Sequence, residues 1–178
     1  MSEDLKSIIA EAEKGDEIAL LNLASAYFSG EVNGQPDITN GLECMEKAAK
    51  QGNPKVQSQC ADFYKELGLY DFAFKWYMEA ALNGHAESQA TIAGFYYTGI
   101  TGEKDEKKAF LWANRAYENG EEAHAPALLG AMYIEGQVTK QDIIKGYKML
   151  KLGASNGIEA AIEYKKMIEN QIPQLKNL

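Results

Sequence analysis

The chain has 178 residues, 46% of them hydrophobic and 25% charged, with a formal net charge of −8. That is long enough for a domain with a real core, in the composition range of soluble globular proteins. The acid excess argues against nucleic-acid binding, which needs clustered cations to meet phosphates. No apolar run approaches the ~20 residues that cross a bilayer, so no membrane partner is expected.

Only four prolines occur, and alanine is abundant, which favours helix. The opening segment, MSEDLKSIIAEAEKGDE, is acidic and amphipathic. It has no basic n-region, no long apolar stretch and no small-residue cleavage site, so no signal peptide is expected and the compartment is read as cytoplasmic. Leu5, Ile8, Ile9 and Ala12 share one helical face and predict a lone helix over 2–14.

Beyond it the chain repeats. Glycines that close Ala-rich segments stand at Gly15, Gly52, Gly84, Gly120 and Gly157, at intervals of 37, 32, 36 and 37 residues. A fixed period of this size is the mark of a repeat architecture. After each glycine a helix is predicted, with small or modest residues at Ala19, Val56, Ser88 and Ala125. Four positions on come Leu23, Cys60, Ile92 and Leu129, followed directly by Ala24, Ala61, Ala93 and Gly130. Eight positions on come Tyr27, Tyr64, Tyr96 and Tyr133. Offsets of zero, four and eight share a helix face. Gly30, Leu67, Gly99 and Gly136 then mark the stop, a place where glycine suits a left-handed cap.

An acid follows each stop, at Asp37, Asp71, Asp105 and Asp142, and is expected to cap or open a second helix. That helix carries a small residue at Gly41, Ala73, Ala109 or Gly146, and Cys44, Trp76, Trp112 or Met149 after it. The small residues let paired helices approach closely, and the rings of Trp76, Tyr96 and Trp112 are expected to fill the space between. A helical pair cannot bury both faces alone, so neighbours must stack. Residues 158–170 read as a lone first-type helix whose Lys165 and Lys166 suit an outer face. The closing QIPQLKNL is expected to be frayed or loosely docked. A single domain is therefore expected over 1–170: a half-repeat at 1–15, repeats at 16–52, 53–84, 85–120 and 121–157, a terminal helix at 158–170, and a tail at 171–178.

These residues resemble the Sel-1-like repeat family, a tetratricopeptide-like branch of helical repeats. The family pattern is similar to A-x-x-x-L-G-x-x-Y-x-x-G followed by D-x-x-x-A-x-x-W-x-x-x-A-x-x-x-G. SQATIAGFYYTG and DEKKAFLWANRAYENG, in the third repeat, match it best. The fourth keeps APALLGAMYIEG but carries Gly146 and Met149; the first carries Gly41 and Cys44; the second has only Gly68 and Leu69 between its helices. The resemblance implies an all-α, right-handed α-solenoid of four helix-turn-helix repeats flanked by half-repeats. It implies a non-catalytic scaffold or adaptor with no cofactor, binding a protein or peptide in a concave groove. A second implied role is that of an immunity protein neutralising a basic toxin or effector; a hydrolase is the remote third.

In such solenoids the first helix of each repeat lines the concave face. Carried over, that gives three rows: Leu21, Ser58, Ala90 and Ala127; Ser25, Asp62, Gly94 and Ala131; Phe28, Lys65, Tyr97 and Ile134. The expected contact set is Leu21, Ser25, Phe28, Asp62, Lys65, Tyr97 and Ile134. Phe28, Tyr97 and Ile134 stand out because the core pattern does not require them, and exposed large side chains are typical anchors. The long first loop, SGEVNGQPD, is the other candidate. Residues 1–89 hold 15 acids and seven lysines, whereas 90–178 hold 11 acids and 11 bases, so the acidic half suits a basic partner.

No catalytic or metal constellation is evident. His85 and His124 follow inter-repeat glycines and read as surface turn residues, and the pair Glu121–Glu122 falls at a turn without an opposed partner. Cys44 lies eight residues before Gly52 and Cys60 eight after it. They read either as buried reduced thiols or as a facing pair that an oxidising compartment would bridge. The family's cysteine-rich branch carries a disulfide in each repeat, and this chain with two cysteines departs from it.

Overall fold

The computed structural model describes residues 2–136 and 138–178; Met1 and Gln137, the first residue of the predicted half-repeat and one of the loop after Gly136, lie outside the described residues. The described residues form ten α-helices and no strand. They divide into two compact units, Met1–Asn83 and Gly84–Leu178, parted where the second and third sequence repeats meet.

The first unit contains α1 (Glu3–Glu13), α2 (Glu17–Ser29), α3 (Ile38–Ala49), α4 (Pro54–Glu66) and α5 (Tyr70–Leu82). The second contains α6 (Ala86–Thr98), α7 (Glu106–Glu118), α8 (His124–Glu135), α9 (Ile143–Ser155), α10 (Glu159–Gln171) and a closing 3-10 turn at Pro173–Asn177. Within each unit the strongest pairings join the two helices of one repeat: α2 with α3, α4 with α5, α6 with α7 and α8 with α9.

Local chemistry sets the helix ends. Three of the four expected acids are N-caps. Asp37 accepts from the Asn40 amide at 3.1 Å, Asp105 from Lys108 at 2.9 Å and Asp142 from Lys145 at 2.9 Å. Asp71 is not a cap: α5 starts after Leu69 with no side-chain cap, and Asp71 sits in its first turn. The second repeat's turn is too short to place the acid at the boundary. The same shortening moves its stop. Leu67 keeps a right-handed conformation and Gly68 takes the positive φ, at +74°. Gly30, Gly99 and Gly136 end α2, α6 and α8 as left-handed caps. Gly30 is needed twice over, since a Cβ there would also lie 2.6 Å from the Gln35 carbonyl carbon.

Small residues set the helix spacing. In α8 and α9 a Cβ on Gly130 would lie 2.8 Å from the Leu150 backbone nitrogen, and one on Gly146 2.7 Å from the Gly130 carbonyl oxygen. In the first unit Gly41 leaves room for the Phe28 ring. Trp76 and Trp112 are buried as expected, while Tyr96 is half-buried, with Lys108 Nζ 5.1 Å from its ring centre.

The terminal elements bury one face each. Leu5 and Ala12 of α1 are buried and Ile8 and Ile9 half-buried. The C-terminal segment is docked rather than frayed: Leu175, in the 3-10 turn, joins Ile134, Tyr147, Leu150, Ala161 and Ile168 in one core cluster. Burying a side chain of that size contributes roughly 1.5–3 kcal/mol toward ordering the segment.

Buried polar side chains tie helix ends together. Gln57 donates to the Ala49 carbonyl at 3.3 Å and accepts from Asn83 at 2.9 Å. Gln89 accepts likewise from Asn119 at 2.8 Å. In the fourth repeat Pro126 occupies the matching position, and Glu121 serves the helix end instead. It is buried, and its carboxylate accepts from the amides of Ala123, His124 and Ala125 at 3.3, 2.9 and 2.6 Å. The sequence reading of Glu121 as a partnerless turn acid is thus corrected: its partner is the N-terminus of α8.

Candidate partner-binding site

In the first unit α2, α3 and α4 enclose an open groove of about 330 Å³. It is lined by Leu21 of α2, Met45 of α3, and Gln59, Asp62, Phe63 and Glu66 of α4. The α4 contributors are spaced i, i+3, i+4 and i+7, a single helical stripe. The groove thus has an apolar floor, Leu21, Met45 and Phe63, and a polar rim.

Two expected residues, Leu21 and Asp62, line this groove directly. Phe28 reaches it indirectly, its ring stacked on Phe63 with centroids 4.4 Å apart and planes at 17°. That stack fixes the Phe63 ring and leaves Phe28 half-buried. Lys65 is exposed and lies 3.5 Å from the Asp62 carboxylate and 5.5 Å from the Tyr77 ring centre. The Tyr77 hydroxyl donates to Asp62 as well. Burial first, and then this bond to Asp62, push the Tyr77 phenol well above its ordinary value, so it stays a donor. Asp62 is therefore held in place on the rim. Ser25 is exposed on α2 but is not a lining residue.

Two expected contact residues belong to the second unit. Tyr97, on α6, is half-buried and points its hydroxyl at Glu135 Oε2, 3.5 Å away. Ile134 is buried, 6% exposed, inside the core cluster of α8, α9 and α10. It is corrected from contact residue to core residue: Gly146 of α9 leaves the space that Ile134 fills. Among the other row residues Ser58 and Ala90 are buried, which also takes them out of any surface.

Sequence reasoning missed Met45, Gln59, Phe63 and Glu66 in the groove. The i, i+3, i+4, i+7 spacing of the last three with Asp62 was a usable signal. Counted from the small residue that opens each first helix's pattern, Val56 in α4, the rows were drawn at offsets two, six and nine, while the stripe that lines the groove lies at offsets three, six, seven and ten. The loop SGEVNGQPD folds back on itself, with Asn33 and Asn40 both donating to Asp37 Oδ2, at 2.9 and 2.7 Å.

The remaining chemistry-bearing residues serve helix ends and core. His85 is the N-cap of α6, its Nδ1 accepting from the Ser88 amide at 3.3 Å, so it is more than a surface turn residue; His124 is exposed. Cys44 and Cys60 are both free and buried. Burial pushes the Cys60 thiol up to about 12 and raises that of Cys44. No helix among the described residues is long and apolar enough to cross a membrane.

Stacked helical pairs with small-residue contacts, glycine stops and acid caps define a helical repeat protein. A family model described as Sel1 repeat matches residues 18–53, 70–85, 86–121 and 123–158, and the chain belongs to that family. The second match covers only the later half of its repeat, the one with the shortened turn. Among solved structures, the chain is similar to c5321, a protective antigen of uropathogenic Escherichia coli strains displaying an SLR fold. The identity is 25% and the TM-score 0.73, over 88% of this chain and 34% of that one. It is also similar to a Sel1 repeat protein from Oxalobacter formigenes, at 28% identity and TM-score 0.70, over 91% of this chain and 67% of that one. The chain thus spans about a third of the length of the first of these. Sel1 repeat proteins are generally protein-interaction scaffolds.

Proposed function

We propose that this chain is a non-catalytic protein-interaction module whose first-unit groove receives a segment of a cationic protein partner. The observation that carries this reading is the groove itself: an apolar floor with Asp62 and Glu66 on the rim. Its unit has the charge to match. Residues 1–83 carry 14 acids against seven lysines, while 84–178 carry 12 acids against 11 bases. An apolar floor supplies affinity and a charged rim selects the partner and steers its approach. Phe28 and Lys65 act around the groove, Phe28 by bracing Phe63 and Lys65 by holding Asp62. The charge excess also favours a second reading, an immunity protein that neutralises a basic toxin. The free, buried Cys44 and Cys60 suit a reducing compartment, in keeping with the cytoplasm.

The test uses the exposed rim residue Gln59. The partner is captured from the source lysate, produced separately, and titrated by calorimetry against wild type, Gln59→Trp and the exposed α5 control Lys75→Ser. Gln59→Trp fills the groove and is expected to weaken binding at least tenfold, with Lys75→Ser unchanged. Equal binding by all three proteins removes the groove from the reading. A single basic toxin as partner selects the immunity role; several unrelated partners select the adaptor.

A further inference from the structure

Tyrosine hydroxyls meet carboxylates at several places in this protein, and a lysine of the chain regularly completes the set. Tyr64 donates to Glu46 at 2.6 Å, and Lys50 lies 3.3 Å from the same carboxylate. Tyr147 donates to Glu169 at 2.8 Å, and Lys165 stands 3.0 Å away. Tyr77 donates to Asp62, with Lys65 at 3.5 Å. Each of these carboxylates has a phenol and an ammonium around it.

Glu135, the last residue of α8, breaks the pattern. Two phenols approach it, Tyr97 from α6 at Oε2 and Tyr164 from α10 at Oε1, each at 3.5 Å. That is the outer limit of a hydrogen bond and far longer than the closed Tyr64 and Tyr147 pairs. Among the described residues no lysine, arginine or histidine is within ion-pair distance of Glu135. Glu135 is exposed and both tyrosines are half-buried. An acid in the last turn also opposes the helix dipole, so helix stability gives no reason for it to be there. Such local conflicts gather at functional sites. A ring of the trio already accepts a cation: Lys104, exposed in the α6–α7 loop, holds its Nζ 5.9 Å from the centre of the Tyr97 ring, at the edge of useful range.

We infer that Tyr97, Glu135 and Tyr164 form a recognition site for one cationic side chain, lysine or arginine, presented by a protein partner. The carboxylate supplies the counter-charge and the two phenols the aromatic and hydrogen-bonding flank, completing the acid–phenol–cation set the protein builds elsewhere from its own residues. Burial and the nearby Glu135 charge raise both phenols, which keeps them protonated and able to donate. Lys104 acts as a weak internal competitor. The site lies wholly in the second unit and does not depend on the groove of the first.

The test is a nuclear magnetic resonance titration of tyrosine-ring-labelled protein. Tyr97 and Tyr164 signals are assigned from their Phe variants. The probes are Nα-acetyl-lysine methylamide and Nα-acetyl-arginine methylamide, with the neutral Nα-acetyl-norleucine methylamide as control. Saturable shifts of both rings are expected with a cationic probe and not with norleucine. Glu135→Gln, an exposed change that leaves the core intact, is expected to weaken binding at least tenfold. Lys104→Ser is expected to strengthen it about twofold to fivefold. Tyr164→Phe, which keeps the ring, should bind, while Tyr164→Leu should not. Equal shifts with norleucine, or a Glu135→Gln variant that binds as wild type does, would overturn the inference. Because Gln59→Trp does not touch this site, failure here and failure of the groove reading are separate results.

Discussion

Gly146 of α9 lies so close to Ile134 of α8 that a Cβ on the glycine would come within 2.6 Å of the isoleucine Cγ1. The absence of a side chain at one position is what permits a buried isoleucine at the other. Gly146→Ala therefore sets two effects against each other. Alanine in a helix interior is worth up to ~1 kcal/mol over glycine, while overpacking a closed contact costs roughly 1–3 kcal/mol. Backbone stands on the other side of this contact, since the Gly130 carbonyl oxygen would be 2.7 Å away, so the clash wins. Urea unfolding is expected to show a net loss of about 1–2 kcal/mol. Gly94→Ala, in α6 with nothing within 4 Å of the new methyl, should instead gain roughly 0.5–1 kcal/mol.

Ile134 gives a matching prediction. As a core residue its truncation to alanine should cost about 2–5 kcal/mol of unfolding free energy. A contact residue on an open surface would cost a few tenths. Denaturation midpoints of Ile134→Ala beside Leu111→Ala, whose side chain is exposed, separate the two cases.

Glu121 holds three backbone amides at the start of α8. Removing it strands the buried Ala125 amide, at a cost of roughly 1–3 kcal/mol when unsatisfied, and releases the part-buried amides of Ala123 and His124. Glu121→Ala should lower the thermal midpoint, and Glu122→Ala, one residue on and exposed, should leave it nearly unchanged. Equal effects from the two variants would remove the capping role.

Acid should destabilise the fold through specific carboxylates. Asp37 and Asp105 sit below the ordinary aspartate value, chiefly because each accepts a backbone amide at a helix start. For a depressed carboxyl the stabilisation is complete above its unfolded value, 3.8 for these aspartates, and is lost as pH falls through the lower folded value. Midpoints measured from neutral pH downward should fall in that acid window. Asp105→Asn keeps a capping oxygen but cannot ionise, and should flatten the decline.

Cys44 and Cys60 should be inert in the native protein, because the thiolate is the reactive form and burial disfavours it at both. A chromogenic disulfide reagent at neutral pH should titrate neither thiol at first, and both after denaturation. Rapid native labelling of Cys60 would contradict its burial.

The sequence by itself determined the repeat, its period and most of its boundaries. Those signals are local and recur: the glycine stops at Gly30, Gly99 and Gly136, the caps at Asp37, Asp105 and Asp142, and the small residues where helices touch. Each acts within one turn of its own helix or against the next helix in the chain, so reading along the chain recovers it. Where one turn lost residues, at Gly68 and Leu69, the stop moved to Gly68 and the acid cap was lost, leaving Asp71 in the first turn of α5. Tertiary structure alone decided which face of each first helix opens. Tyr97 and Ile134 occupy the same row in the sequence, yet one ends half-exposed beside Glu135 and the other is sealed under α9 and α10. An apolar side chain at a given helical offset suits either fate, and the choice rests on what packs over it, which for Ile134 is Gly146 and the cluster with the docked Leu175. Gln59 and Tyr164, each the sixth residue of its helix, and Glu66 and Glu135, each the last residue of its helix, look like solvated residues when read singly. They acquire meaning only when separate helices bring them beside Phe63 in the first unit and around one carboxylate in the second.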